Sequence, residues 1–172
     1  MVKWSVSKKV ERNYLEINSL KDLVDTENSS DGYLIELLDP PNYKINKFFY
    51  KIIGKNHHWS DRLIWNENQW MEYTENEKVK TFILKKKDDL VGYFELIFHS
   101  ENNEVEIAYL GLLEEYHKKK LGSYLLCSAI KNSFIENPKR VWVHTCSLDH
   151  KNALNNYLSR GMKIFKKETI QI

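Results

Sequence analysis

Two cysteines, three prolines and six glycines are all that 172 residues contain of those types, and each scarcity removes a class of protein. Cys127 and Cys146 fall in a predicted helix and a predicted strand with no CxxC spacing, which speaks against a disulfide framework and reads both as buried thiols. The few prolines and glycines build no linker, and no internal repeat or low-complexity tract interrupts the chain. No apolar run approaches the roughly 18 residues that cross a bilayer, and the opening MVKWSVSKKVERN lacks the apolar stretch of a secretory signal. A cytoplasmic protein with no membrane partner is therefore expected. Charge of one sign is scarce as well. Lys and Arg number 26 against 24 Asp and Glu, a formal +2, too small an excess to point to nucleic acid. His57-His58 and the scattered histidines have no Cys or His partner at ligand spacing, so no metal is expected.

What is present is ordinary globular material, 42% apolar and 29% charged. A chain of this length buries roughly 70% of the surface its unfolded form exposes, and one domain over 1–172 is the expectation. Texture changes near residue 77. Before it the sequence is rich in aromatics, with strand-like pieces near 12–18 and 32–38. Helices are predicted at 44–54, after the Pro40-Pro41 break, and at 66–75, with Asn66 as N-cap. After it, strands are predicted at 78–86, 90–99 and 105–113, joined by KDD and SENNE turns. A helix at 121–137 carries Leu121, Leu125, Ala129 and Ile130 on one stripe and ends at Asn137-Pro138. A strand at 140–148, a helix closed by Gly161 and a last strand from Lys163 complete a βββαβαβ order.

The junction EEYHKKKLGS, between the strand at 105–113 and the helix from Leu121, carries the chemistry. A loop entering a helix leaves backbone N–H groups unpaired, and those donors with the helix dipole suit a pyrophosphate. Gly122 lets phosphate approach the backbone, while Lys118, Lys119 and Lys120 add positive charge. A solvated charged face would explain the lysines equally well.

EIAYLGLLEEYHKKKLGSYLL resembles motif A of the GCN5-related N-acetyltransferases, a strand followed by Q/R-x-x-G-x-G/A at a helix start. His117 falls at the Q/R position, Lys120 at the first glycine and Gly122 at the second. HKNALNNYLSRGM is similar to the family's N-x-x-A-x-x-x-Y-x-x-x-G-F, with Ala153, Tyr157 and Gly161 matching, His150 at the asparagine and Met162 at the phenylalanine. The likeness spans roughly residues 78–165. It implies an α/β (α+β) fold with a central mixed, mostly antiparallel sheet flanked by helices and splayed between its fourth and fifth strands, here 105–113 and 140–148.

The resemblance also implies acetyl-CoA as acyl donor. Pantetheine would lie along Leu110, Gly111 and Leu112, and the remaining cofactor contacts would come from His117, Lys118, Lys119, Lys120, Leu121, Gly122, Ser123, His150 and Tyr157. Glu106, at the spacing where several members carry a catalytic glutamate, becomes the candidate base, and Tyr157 the acid for the leaving thiolate. His144 and His150 are further titratable groups near the sheet end. The aromatic-rich half, 1–77, would build the acceptor pocket beside the acetyl-CoA-binding core of 78–172. Trp59 could form its wall, Asp61 bind an ammonium and Arg62 a carboxylate, with Glu95 and Tyr109 opposite. An aromatic core with an internal Asp61–Arg62 ion pair stays open, as does a solvated position for either glutamate. The activity expected is transfer of acetyl to a primary amine of a small molecule or peptide. A non-catalytic acyl-CoA sensor is the alternative, motivated by Lys120 and His150. Acyl-chain preference is not legible, and a homodimer stays open.

Overall fold

The computed structural model describes residues 9–26 and 31–171; residues 1–8, which open the expected signal-free terminus, and Ile172 of the expected last strand lie outside them. In chain order the elements are β1 (Lys9–Ile17), β2 (Tyr33–Leu37), α1 (Tyr43–Gly54), α2 (Glu67–Thr74), β3 (Val79–Lys86), β4 (Asp89–His99), β5 (Glu104–Leu112), α3 (Leu121–Ser133), β6 (Arg140–Cys146), α4 (Ala153–Ser159) and β7 (Lys163–Gln171). The seven strands form one sheet in the order β2-β3-β4-β5-β6-β1-β7. Every neighbouring pair is antiparallel except β5 and β6. Strands from both sides of residue 77 thus share one sheet, because β1 inserts between β6 and β7 while β2 extends the edge at β3.

Local chemistry explains the helix boundaries. Asn42 caps α1 by accepting from Lys44 N at 3.1 Å, and Asn66 and Gln69 form a reciprocal capping box on α2. The α3 stripe of Leu121, Leu125, Ala129 and Ile130 is buried, each large member contributing about 1.5–3 kcal/mol. The helix stops at Ser133 and passes through a 3-10 turn to Asn137, which turns left-handed at φ 51°.

Two apolar layers flank the sheet. On one face α3 and Tyr157 of α4 pack on Leu96, Val105, Ile107, Val141 and Val143. On the other, Phe49 and Ile53 of α1 pack on Ile83 and Tyr93. Strand alternation therefore turns Trp142 and His144 of β6 away from the α3 layer. Gly161, at φ 97°, closes α4 where an added Cβ would stand 2.1 Å from the Asp22 carbonyl oxygen. Cys127 is buried as expected, but Cys146 is only half-buried, because β6 ends there at the wall of a cavity. Among the described residues no helix is long and apolar enough to cross a membrane.

Candidate active site

The parallel contact between β5 and β6 lasts three pairs, from Glu104–Arg140 to Glu106–Trp142, and then the strands part. A bulge at Ala108, where the register jumps from Ile107–Leu96 to Tyr109–Glu95, bends β5 away. The gap opens into a cavity of about 770 Å³ lined by both strand ends, the start of α3 and one side of α4.

Leu110, Gly111 and Leu112 form its β5 edge. They are bonded to β4 on one side and, among the described residues, have no partner strand on the other; the Leu112 carbonyl is met there by His117 Nε2 at 3.3 Å, and the rest of that edge faces the gap. The loop into α3 is unusual in its backbone. Lys118 and Lys120 both adopt the left-handed region, at φ 63° and 60°, a geometry that costs a residue with a Cβ roughly 1–2 kcal/mol. Lys120 is the N-cap and offers no side-chain cap. The cavity wall includes His117, Lys118, Lys120, Leu121, Gly122 and Ser123. Lys119 alone of the expected set turns aside, its Nζ 5.1 Å from the Tyr116 ring centroid. A Cβ added at Gly122 would meet only Asn156 Nδ2, in ordinary contact at 3.9 Å, so packing alone does not require glycine there. Ser123 donates to Asn156 Oδ1 at 2.9 Å, tying α3 to α4.

Tyr157 reaches the cavity from the α3 face and is 8% exposed. Burial, reinforced by the Asp149 charge, pushes its phenol well up, so it stays protonated. His150 also lines the wall, its ring 5.2 Å from that of His117 and 6.2 Å from that of His57.

The opposite wall comes from the segment after α1. Trp59, Asp61 and Tyr109 line the cavity, with the Trp59 and Tyr109 rings 4.7 Å apart. Arg62 and Glu95 do not reach it. Arg62 Nη1 donates to Glu95 Oε2 at 2.8 Å, Tyr73 donates to the same oxygen at 2.7 Å, and Asn46 donates to Oε1 at 2.7 Å. The carboxylate is 0% exposed, and the guanidinium sits among the rings of Tyr50, Trp65, Trp70, Tyr73 and Tyr109 at 4.0–5.8 Å. The internal pair of this wall is thus Arg62–Glu95, not Asp61–Arg62.

Glu106 is largely buried and bonded to His99 Nε2 at 2.9 Å. His99 in turn stacks on Trp142, and neither Glu106 nor His99 lines the cavity. His144 does line it, two residues past the last β5–β6 pair, its solvent-exposed ring 5.6 Å from that of Tyr14. The walls around it and the Arg12 charge push its pKa down, against the opposing pull of Glu106, Asp149 and Asp61. Sequence reasoning missed Arg12, His57 and Asn156 as lining groups. Asn156 lies inside HKNALNNYLSRGM and His57 two residues before Trp59, so both stood beside assigned residues; Arg12 has no such mark and arrives from β1. Among the described residues no group of three or more His, Cys, Asp or Glu side chains could hold a metal.

No curated protein matches the chain in sequence. Solved structures share its fold. A GCN5-related N-acetyltransferase from Kribbella flavida aligns with TM-score 0.67 at 13% identity, over 94% of this chain and 56% of its own. One from Sphaerobacter thermophilus aligns with TM-score 0.67 at 12% identity, over 96% of this chain and 52% of its own. The chain therefore spans little more than half the length of these two. An aminoglycoside acetyltransferase from an uncultured soil metagenomic sample aligns with TM-score 0.64 at 14% identity, over 77% of this chain and 90% of its own. The model of the acetyltransferase (GNAT) family matches residues 36–162, a stretch that runs from β2 through the splayed strands to the turn after α4, and the chain belongs to that family.

Proposed function

We propose that the protein transfers the acetyl group of acetyl-CoA to a primary amine of a small molecule or peptide by direct attack. The observation that carries this reading is the cavity itself, which passes between β5 and β6 from a cationic helix start to an acidic, aromatic wall. Lys118 and Lys120, the uncapped first turn of α3 and the cavity that Gly122 lines suit a pyrophosphate. The edge of β5 at Leu110, Gly111 and Leu112, which has no partner strand among the described residues, suits the amides of pantetheine, and an N–H there would stabilise the charge that develops on the thioester oxygen. Bound acetyl-CoA supplies an electrophilic carbonyl and a thiolate leaving group. Tyr157, kept protonated by burial, donates to that thiolate. On the other side Asp61 attracts an ammonium, and Trp59 with Tyr109 forms an apolar wall for its carrier. Arg62 and Glu95 act at one remove, fixing the segment that presents Trp59 and Asp61. An aminoglycoside acetyltransferase among the structural neighbours supports including polyamines among the acceptors tried.

A thiol-release assay with acetyl-CoA against amines, amino acids, aminoglycosides and peptides tests the reading. Sustained release with one acceptor class is expected. Stabilisation by CoA with no release for any acceptor would favour a binding or sensing domain instead, the reading that left-handed Lys118 and Lys120 keep alive.

A further inference from the structure

We propose that His144 is the general base of this site, taking the proton of the acceptor's ammonium on the face of the sheet opposite Tyr157. The inference rests on the acetyl-transfer reading and names the group that makes the amine nucleophilic. Val141 and Val143 point into the α3 layer that holds Tyr157, so His144 points through the other face, where Trp59, Asp61 and Tyr109 stand. Those side chains and His144 line one cavity. No hydrogen bond from either ring nitrogen to protein is present among the described residues, which leaves a lone pair available. Glu106 is committed to His99 and stands outside the cavity.

The charges around His144 suit a proton acceptor. Arg12 and Tyr14 face it from β1, Glu106 from β5, Asp149 from the turn after β6, and Asp61 from the acceptor segment. The cavity walls and the Arg12 charge lower its pKa and so favour the neutral ring, the form that accepts a proton. Asp61 and Glu106 favour the imidazolium once it forms.

One ammonium proton passes to His144, and the nitrogen lone pair so released forms the C–N bond at the thioester carbon while the carbonyl π pair moves to oxygen. Return of that pair breaks the C–S bond. Sulfur leaves with the bonding electrons and takes the Tyr157 proton, and the second nitrogen proton returns to the phenolate through water. The imidazolium releases its proton to solvent, one proton net per acetyl group moved.

Steady-state turnover of wild type, His144→Gln and His144→Ala is measured from pH 5.5 to 9.5 with an acceptor found active, with CoA affinity measured in parallel. Wild-type kcat should fall on the acid side with a midpoint below about 6.5. His144→Gln should lose about 10²–10⁴-fold at pH 7 with CoA affinity unchanged, and should then gain about tenfold per pH unit up to the amine's own pKa. Added imidazole should restore part of the His144→Ala rate, since the ring is exposed to solvent. Wild-type rates in His144→Gln, a loss without alkaline recovery or imidazole rescue, or a wild-type profile that only tracks the amine would each overturn the proposal. Lack of turnover in wild type with every acceptor would overturn the acetyl-transfer reading instead.

Discussion

Arg62 Nη1 stands 2.8 Å from Glu95 Oε2 with both side chains all but excluded from solvent. A charge pair this deep gains little over an apolar pair of similar shape, yet removing one member strands the other. Glu95→Ala should therefore lose about 3–5 kcal/mol in urea denaturation. Glu95→Gln, which still accepts from Tyr73 and Arg62, should lose less. Equal stability of Glu95→Ala and wild type would mean the pair is not formed in solution.

Gly161 is fixed by its surroundings. At φ 97°, with the Asp22 carbonyl oxygen 2.1 Å from where a Cβ would stand, Gly161→Ala must move backbone on one side or the other. A loss above about 2 kcal/mol is expected, read as a lower Tm. CoA affinity of the folded fraction should hold, because Gly161 does not line the cavity.

Lys120 presents the opposite case, a residue with a Cβ in left-handed backbone at the start of α3. Lys120→Gly removes roughly 1–2 kcal/mol of strain and returns about 0.4–1 kcal/mol through greater freedom of the unfolded chain. Tm should rise by a few degrees at most. CoA affinity should fall and become less salt-sensitive, since one cation leaves the cavity wall. A lower Tm would show that the Lys120 side chain contributes more than its backbone costs.

The helices, the meander of β3, β4 and β5, and the loop into α3 were legible because each is written in a short window by periodicity, caps and two spaced motifs. The insertion of β1 between β6 and β7 was not, since alternation along a strand says which face is apolar but not which strand will pair. Arg62 and Glu95 lie 33 residues apart, and their contact depends on α2 carrying Tyr73 against β4. The bulge at Ala108 hid the face of Glu106 most directly. Counting by twos sets Glu106, Ala108 and Leu110 together, whereas the extra residue puts Tyr109 on the face of Glu106. His144 has an apparent local parity, but only the early end of the β5–β6 pairing turns that position into a cavity wall.

Tyr157→Phe isolates the acid. The phenol has no charged state at working pH, so removing its hydroxyl should leave CoA affinity nearly unchanged while kcat falls by about 10²–10⁴-fold. Thiol esters with better leaving groups should lose less in the variant, because an acidic thiol departs without help. Equal losses for good and poor leaving groups would mean that the ring only packs against the donor.

Acid should weaken the folded state through the same cavity. His144 and His150 both have pKa values pushed down, His144 by its walls and Arg12, and the exposed His150 by partial loss of hydration at the cavity wall, then by His117, His57 and Lys151. A folded pKa below the unfolded value of about 6.5 means that the unfolded chain binds more protons across the interval between them. Stability therefore rises with pH through that interval, and is lost as pH falls from just above 6.5 until the folded-state pKa is passed. His150→Asn should flatten this slope without changing stability at pH 8, where both states hold the ring neutral. A bound phosphate near His117 and His150 would raise the folded pKa and flatten the slope in the wild type too. Thermal unfolding between pH 5 and 8, with and without CoA, reads both effects. A slope unchanged in His150→Asn and by CoA alike would place the titration elsewhere in the chain and remove the histidine cluster from the cofactor wall.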